Sequence, residues 1–147
     1  MLRPFAAADL AEVSDLWVDA WRRAYPDIDF EARRRWFREH LYALANEGTE
    51  IAVLVEDGRI VGLVTVHPIT GYLDQLVVAA SAQGRGHAAA LLAYARTISP
   101  KRVSLKVNQD NAGAIRLYQR QGFRIAAEDV NPGSGAPVYE MLWEPSV

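Results

Sequence analysis

The chain has 147 residues, a formal net charge of −2, 50% apolar and 23% charged residues, and no cysteine. That is the size and balance of one compact domain, spanning 1–147, whose core needs neither a disulfide nor a structural metal. The lack of cysteine excludes thiolate chemistry and Cys-based zinc motifs, and His40, His67 and His87 are too scattered to suggest a metal site.

No repeat, low-complexity stretch or Pro/Gly/Ser-rich linker divides the sequence. Met1-Leu2-Arg3-Pro4 lacks the apolar stretch of a signal peptide, and Leu2 to Phe5 reads as a short first strand. Asp9 and Glu12 have the spacing of an acidic capping box ahead of Leu10, Val13, Leu16, Trp17, Ala20, Trp21 and Ala24 at helical intervals. Pro26 ends that helix, and Asp29 is placed to cap a second with Phe37, Leu41 and Leu44 inward. Its Arg33-Arg34-Arg35-Arg38 cluster reads as a solvated face, because arginine is interleaved with acid throughout and no nucleic-acid partner is expected.

From Glu50 the pattern changes to β-branched apolar runs, Ile51 to Glu56 and Arg59 to His67, split by the hairpin signal Asp57-Gly58. Tyr72 to Val78 is a further strand. A Gly-rich turn from Gln83 to Gly86 then opens a helix with Ala88, Leu91, Leu92, Ala95 and Ile98 on one side. The longest wholly apolar run, Ala88 to Ala95, is far short of a membrane span, so a cytoplasmic location without membrane attachment is expected. Val103 to Val107 is the next strand, and the intervening helix predicts a right-handed β-α-β crossover with the two strands parallel. Asn111 or Asp110 caps a last helix to Gln121, Gly122 stops it, and Phe123 to Ala127 with Val138 to Trp143 close the sheet as a hairpin. The expected fold class is therefore α/β, of the α+β kind with a mixed sheet: two N-terminal helices, an antiparallel meander, one parallel crossover and a C-terminal β-hairpin.

The segment with chemical content is the strand that runs through Leu76, Val77 and Val78 into Gln83-Gly84-Arg85-Gly86-His87-Ala88-Ala89 and a helix. Converging backbone N–H groups and the helix dipole make such a turn an anion site, although a tight structural turn needs glycine equally. There is no Walker Gly-Lys-Ser/Thr ending, and Ala89 breaks the dinucleotide G-x-G-x-x-G pattern. A second segment lies downstream: Asn111, Ala114, Leu117-Tyr118 and Gly122-Phe123.

Together, Gln83-x-x-Gly86-x-Ala88 and this second segment resemble the GNAT superfamily of acyl-CoA-dependent N-acyltransferases, over Tyr72 to Arg124. The resemblance implies a GNAT-like fold with the crossover strands splayed, and acetyl-CoA as co-substrate. The main chain of Leu76, Val77 and Val78 would pair with the pantetheine arm, the turn from Gln83 to Ala89 would hold the pyrophosphate, and Asn111 would touch the cofactor as well as cap its helix. An acetyl group would pass directly to a primary amine in a ternary complex, with Tyr118 as general acid to the departing thiolate. The acceptor would be a small-molecule amine or a protein or peptide amine, and the resemblance is compatible with a homodimer.

The base is less evident. The ribosomal-protein branch of the family has a glutamate where this chain has Lys106, and the histone branch has one where it has Tyr72. Asp74, two residues along the same strand, is the candidate base. Trp21 and Tyr25, at the end of the first helix, are the candidate acceptor contacts. His87 is expected to be exposed in the turn. A non-catalytic acyl-CoA sensor of the same fold is the alternative reading, and a glycine turn that binds nothing is a third.

Overall fold

The apolar runs after Glu50 have two faces to bury, and the computed structural model, which describes residues 1–146, covers both with helices. Strands β1 (Leu2–Pro4), β2 (Glu50–Glu56), β3 (Arg59–Val66) and β4 (Leu73–Val78) form an antiparallel sheet in that order. Side chains alternate across it. Ile51, Val53, Leu63 and Val77 face α1 (Leu10–Ala24) and α2 (Arg34–Asn46), whereas Ala52, Leu54, Val64 and Leu73 share a core with α3 (His87–Ile98). Trp17 of α1 stacks on Phe37 of α2 at 4.5 Å, which ties the two N-terminal helices together over the sheet.

A second sheet follows, with β5 (Val103–Asn108), β7 (Pro137–Trp143) and β6 (Arg124–Val130) in the order β5-β7-β6, all antiparallel. The last helix, α4 (Ala112–Arg120), lies between β5 and β6 in the chain and adds Tyr118 to the α3-side core beside Leu105, Phe123 and Met141. Asn111 caps it as expected, its side chain accepting the Ala114 N–H at 3.2 Å.

The expected parallel crossover does not form. β4 and β5 belong to different sheets and meet at one parallel bridge, Tyr72 to Ser104, where the Ser104 N–H donates to the Gly71 carbonyl at 3.0 Å. β7 pairs with one edge of β5 along its whole length, from Val103↔Trp143 to Asn108↔Val138, while the other edge of β5 faces β4 and diverges from it beyond the bridge. The architecture is thus α+β with two antiparallel sheets rather than one mixed sheet.

The capping box is a second correction. Asp9 lies in a short 3-10 turn, accepts the Ala6 N–H at 2.8 Å and holds Arg3, while Glu12 reaches across to accept the Ile60 N–H of β3 at 2.6 Å. Asp29 does cap the turn that leads into α2, through the Ala32 N–H. Within the arginine cluster, Arg34 pairs with Glu31 and Asp15, Arg35 pairs with Glu39, and Arg33 lies over the Phe30 ring. No helix among the described residues is long and apolar enough to cross a membrane.

Gly71 sits at the seam. It has φ +75°, and a Cβ there would fall 2.2 Å from the Arg102 carbonyl oxygen and 2.9 Å from Ser99 Oγ. Gly71→Ala is therefore expected to destabilise the fold by about 2 kcal/mol or more, through left-handed strain and a forced opening of the bridge. Denaturant midpoints measure it; an unchanged midpoint would mean that the close approach of the two sheets is dispensable.

Candidate active site

β4 is an edge strand, and the geometry of that edge follows from its register. The Ala79 N–H donates to the Val61 carbonyl at 2.8 Å and Val78 lies opposite Gly62, so the main-chain groups of Val78 and Leu76 point away from β3. Beyond the bridge at Tyr72, no strand among the described residues pairs with that side of β4. A row of free amide groups is left, the usual template for an added extended segment.

The strand runs into a single 3-10 turn (Ala80–Ala82) and then the glycine turn, with Gln83 extended and exposed. Gly84 and Gly86 have φ +80° and +79°, and a Cβ on either would meet no atom within 4 Å. The left-handed Gly86 is the N-cap of α3, so the first N–H groups of that helix, beginning at His87, Ala88 and Ala89, have no intrahelical acceptor. Open space, free donors and the positive end of a helix dipole coincide here.

Two side chains of the turn are anchored from elsewhere. Glu56, at the end of β2, accepts from Arg85 and, at 2.9 Å, from His87 Nε2. His87 is therefore not exposed as expected; its side chain retains 16% of its accessible surface. Arg85 also reaches the Ser81 carbonyl at 3.2 Å, closing the turn on itself.

Asp74 stands where β4 departs from regular pairing with β3, at an irregularity opposite Thr65/Val66. Its Oδ2 lies 2.6 Å from His40 Nε2 on α2 and accepts Gln75 Nε2 at 3.0 Å. Gln75 in turn accepts Trp17 Nε1 at 3.2 Å. Neighbouring Tyr72 is pushed up to about 12, by burial first and then by the negative charges of Asp74 and Glu140. Lys106 faces elsewhere, toward Asp129 of β6 at 3.5 Å.

At the other side of the seam, Trp21 and Tyr25 stack at 5.7 Å. The Tyr25 hydroxyl donates to Asp110 at 2.9 Å and accepts Asn108 Nδ2 at 2.8 Å, linking the end of α1 to the loop before α4. Tyr25, Asp27, Asp110 and Asn111 line a cleft of about 520 Å³, so a candidate acceptor contact and a candidate cofactor contact share one opening. A cleft of about 570 Å³ on the outer side of α2, among Arg34, Arg35 and Arg38, contains none of the site residues. Tyr118 is buried, its ring 5.7 Å from that of Phe123, and burial pushes its hydroxyl up to about 12.

Sequence reasoning did not find His40, Gln75 or Glu56. His40 and Glu56 act on residues far away in the chain, and Gln75, although next to Asp74, is itself held by the distant Trp17, so no local spacing signals these contacts. Asn108 was detectable only as a neighbour of the helix cap, and Asp110, read as an alternative cap to Asn111, instead accepts from the Tyr25 hydroxyl.

Of the six tyrosines, Tyr118 and Tyr72 are expected to ionise last, near pH 12, when the native protein is titrated by ultraviolet absorbance. A folded value above the unfolded one means that the neutral form is favoured on folding. That contribution is complete below about pH 10 and is lost as pH rises through about 12, by about 2–3 kcal/mol per group. Tyr118→Phe should remove one late-ionising group; loss of an early one would contradict the burial seen here.

Comparison with known proteins agrees with this geometry. The family model described as the acetyltransferase (GNAT) family matches residues 10–123. An alignment of 58 positions is 48% identical to a mycothiol acetyltransferase of Parafrankia; it covers 37% of this chain and 18% of the relative's length. The PaiA N-acetyltransferase of Thermoplasma acidophilum, solved in complex with coenzyme A, superposes with a TM-score of 0.82 at 17% identity, over 99% of this chain and 98% of that one. A ribosomal-protein-alanine N-acetyltransferase of Brucella melitensis does so with a TM-score of 0.70 at 21% identity, over 99% of each chain. With the family model covering the helices, the glycine turn and the segment that carries Tyr118, this chain belongs to the GNAT family of acetyltransferases.

Proposed function

We propose that the protein transfers an acetyl group from acetyl-CoA directly to a primary amine, with both substrates bound together. The observation that carries this reading is the free outer edge of β4 leading into a left-handed glycine turn at the start of α3. Leu76 and Val78 offer main-chain donors and acceptors to the amide-bearing pantetheine arm, and the side chain of Val77 anchors the strand in the core beneath α1 and α2. The N–H groups from Gly84 to Ala89 receive the pyrophosphate, and Glu56 holds Arg85 and His87 so that the turn is preformed. The wedge between β4 and β5, closed at Tyr72 and Ser104, receives the thioester, and Asn111 lines the cleft beside Tyr25, past the end of β5.

The acetyl thioester supplies the electrophile. The neutral amine attacks its carbonyl, the C–N bond forms and the C–S bond breaks. An outward N–H of β4 stabilises the oxyanion, Asp74 takes the amine proton, and Tyr118 delivers its own to the departing thiolate. For a hydroxyl near 12, full transfer to a thiolate of about 8.5 is uphill by about 5 kcal/mol. The Tyr118 proton therefore moves together with C–S cleavage rather than ahead of it. Trp21 and Tyr25 contact the acceptor at the mouth of the cleft, where Asp27 and Asp110 favour a positively charged amine on approach, and the ammonium gives one proton to solvent there before the neutral amine attacks.

Calorimetric titration with acetyl-CoA should show one saturable site, absent in Gly86→Trp, whose side chain projects into the open turn. Ligand at about 100 times Kd should stabilise the native protein by about 2.7 kcal/mol. Tyr118→Phe should bind acetyl-CoA within twofold of the native protein and lose about 10²-fold or more in kcat with whichever of a diamine, an amino acid, an aminoglycoside and a peptide is turned over. Binding without turnover of any of these would favour the sensor reading, and absence of binding would end both.

A further inference from the structure

We propose that His40 is a positioning residue for Asp74, holding its carboxylate as a usable proton acceptor. This inference rests on the reading of Asp74 as the base. Asp74 retains 17% of its side-chain surface and His40 25%, so the pair is largely withdrawn from water. A carboxylate oxygen only accepts, so the His40 ring donates its Nε2–H to Oδ2 across the 2.6 Å contact. The Gln75 amide donates to the same oxygen, and Oδ1 accepts no hydrogen bond among the described residues. One oxygen is saturated and the other is left for an incoming amine.

The choice of partner separates this carboxylate from others in the protein. Asp9 is hydrogen-bonded to Arg3, and Asp19 to Arg23 and Arg22, and these guanidinium partners hold both carboxyls below the usual range. A permanent cation stabilises the anion and weakens it as a base. Asp74 receives an imidazole and an amide instead, donors that fix its orientation without a permanent charge.

The imidazole is itself held. Its ring stacks on Trp36 at 4.7 Å and 12°, and Trp36 lies 6.1 Å from Trp17. Trp17 donates to Gln75, which donates to Asp74. The contacts close a ring through α1, α2 and β4, and Trp36, at 53% exposure, is kept in it despite facing solvent. His40 Nδ1 takes part in no hydrogen bond among the described residues.

The test compares His40→Gln, whose amide can replace the Nε2 donor, with His40→Leu, which cannot donate, and with Asp74→Asn. Turnover is measured at saturating acetyl-CoA with 1-aminopropane as acceptor, and acetyl-CoA affinity is measured by calorimetry. The expected result is a loss of tenfold or more in kcat for His40→Leu, recovery to within threefold of native in His40→Gln, and acetyl-CoA affinity within twofold in both. A His40→Leu enzyme with native kcat beside an impaired Asp74→Asn enzyme would overturn the positioning role and leave the base reading intact. Native kcat in Asp74→Asn would overturn the base reading, and the inference with it. Independently of turnover, a long-range proton–nitrogen spectrum of the native protein, taken at a pH where the ring is deprotonated to its neutral form, should show His40 protonated at Nε2 and bare at Nδ1, a preference lost in Asp74→Ala. An Nδ1–H ring would contradict the inference.

Discussion

Everything at this site depends on β4 having a partner on one side and almost none on the other. β3 pairs with it throughout, while β5 touches it only where the Ser104 N–H meets the Gly71 carbonyl. Two strands pinned at one end and committed to different sheets leave unsatisfied backbone between them, and only water or a ligand with amide groups can satisfy it. The seam is cheap to build because Gly71 has no side chain to hold the sheets apart. Its stability comes from the cores on either side, with Val77 beneath α1 and α2 and Leu73 in the cluster shared with α3.

Around this opening the protein treats its carboxylates in two ways. Asp9, Asp19 and Glu31 are paired with arginine at the periphery, where they hold helix starts and helix faces in place. Near the seam the partners are softer. Asp74 meets histidine and glutamine, and Asp110 meets the Tyr25 hydroxyl. A guanidinium holds its carboxylate as the anion, and among the described residues neither Asp74 nor Asp110 has such a partner.

The legible parts of the sequence are those whose physics is local. Helical spacing marked α1 and α2, Asp57-Gly58 marked the β2–β3 hairpin, Asn111 marked its cap and Gly84 and Gly86 marked the turn. The crossover failed because strand–helix–strand connectivity says how two strands are joined and not which neighbour each will pair with. β5 spends one edge on β7, and its other edge meets β4 at the Tyr72–Ser104 bridge alone. Likewise Glu12 had the spacing of a cap but bonds to Ile60 on β3, since a longer reach offered a buried N–H. His40 gave no signal, because its meaning lies in Asp74, 34 residues away.

The central claim is that the edge of β4 and the glycine turn together form the acetyl-CoA site. The most direct test follows backbone amide resonances as acetyl-CoA is added to the native protein. The account predicts saturable shifts concentrated at Leu76, Val78 and Gly84 to Ala89, with smaller ones at Asn111 and Tyr118. Shifts centred instead on the outer side of α2, or none at saturating ligand, would contradict it.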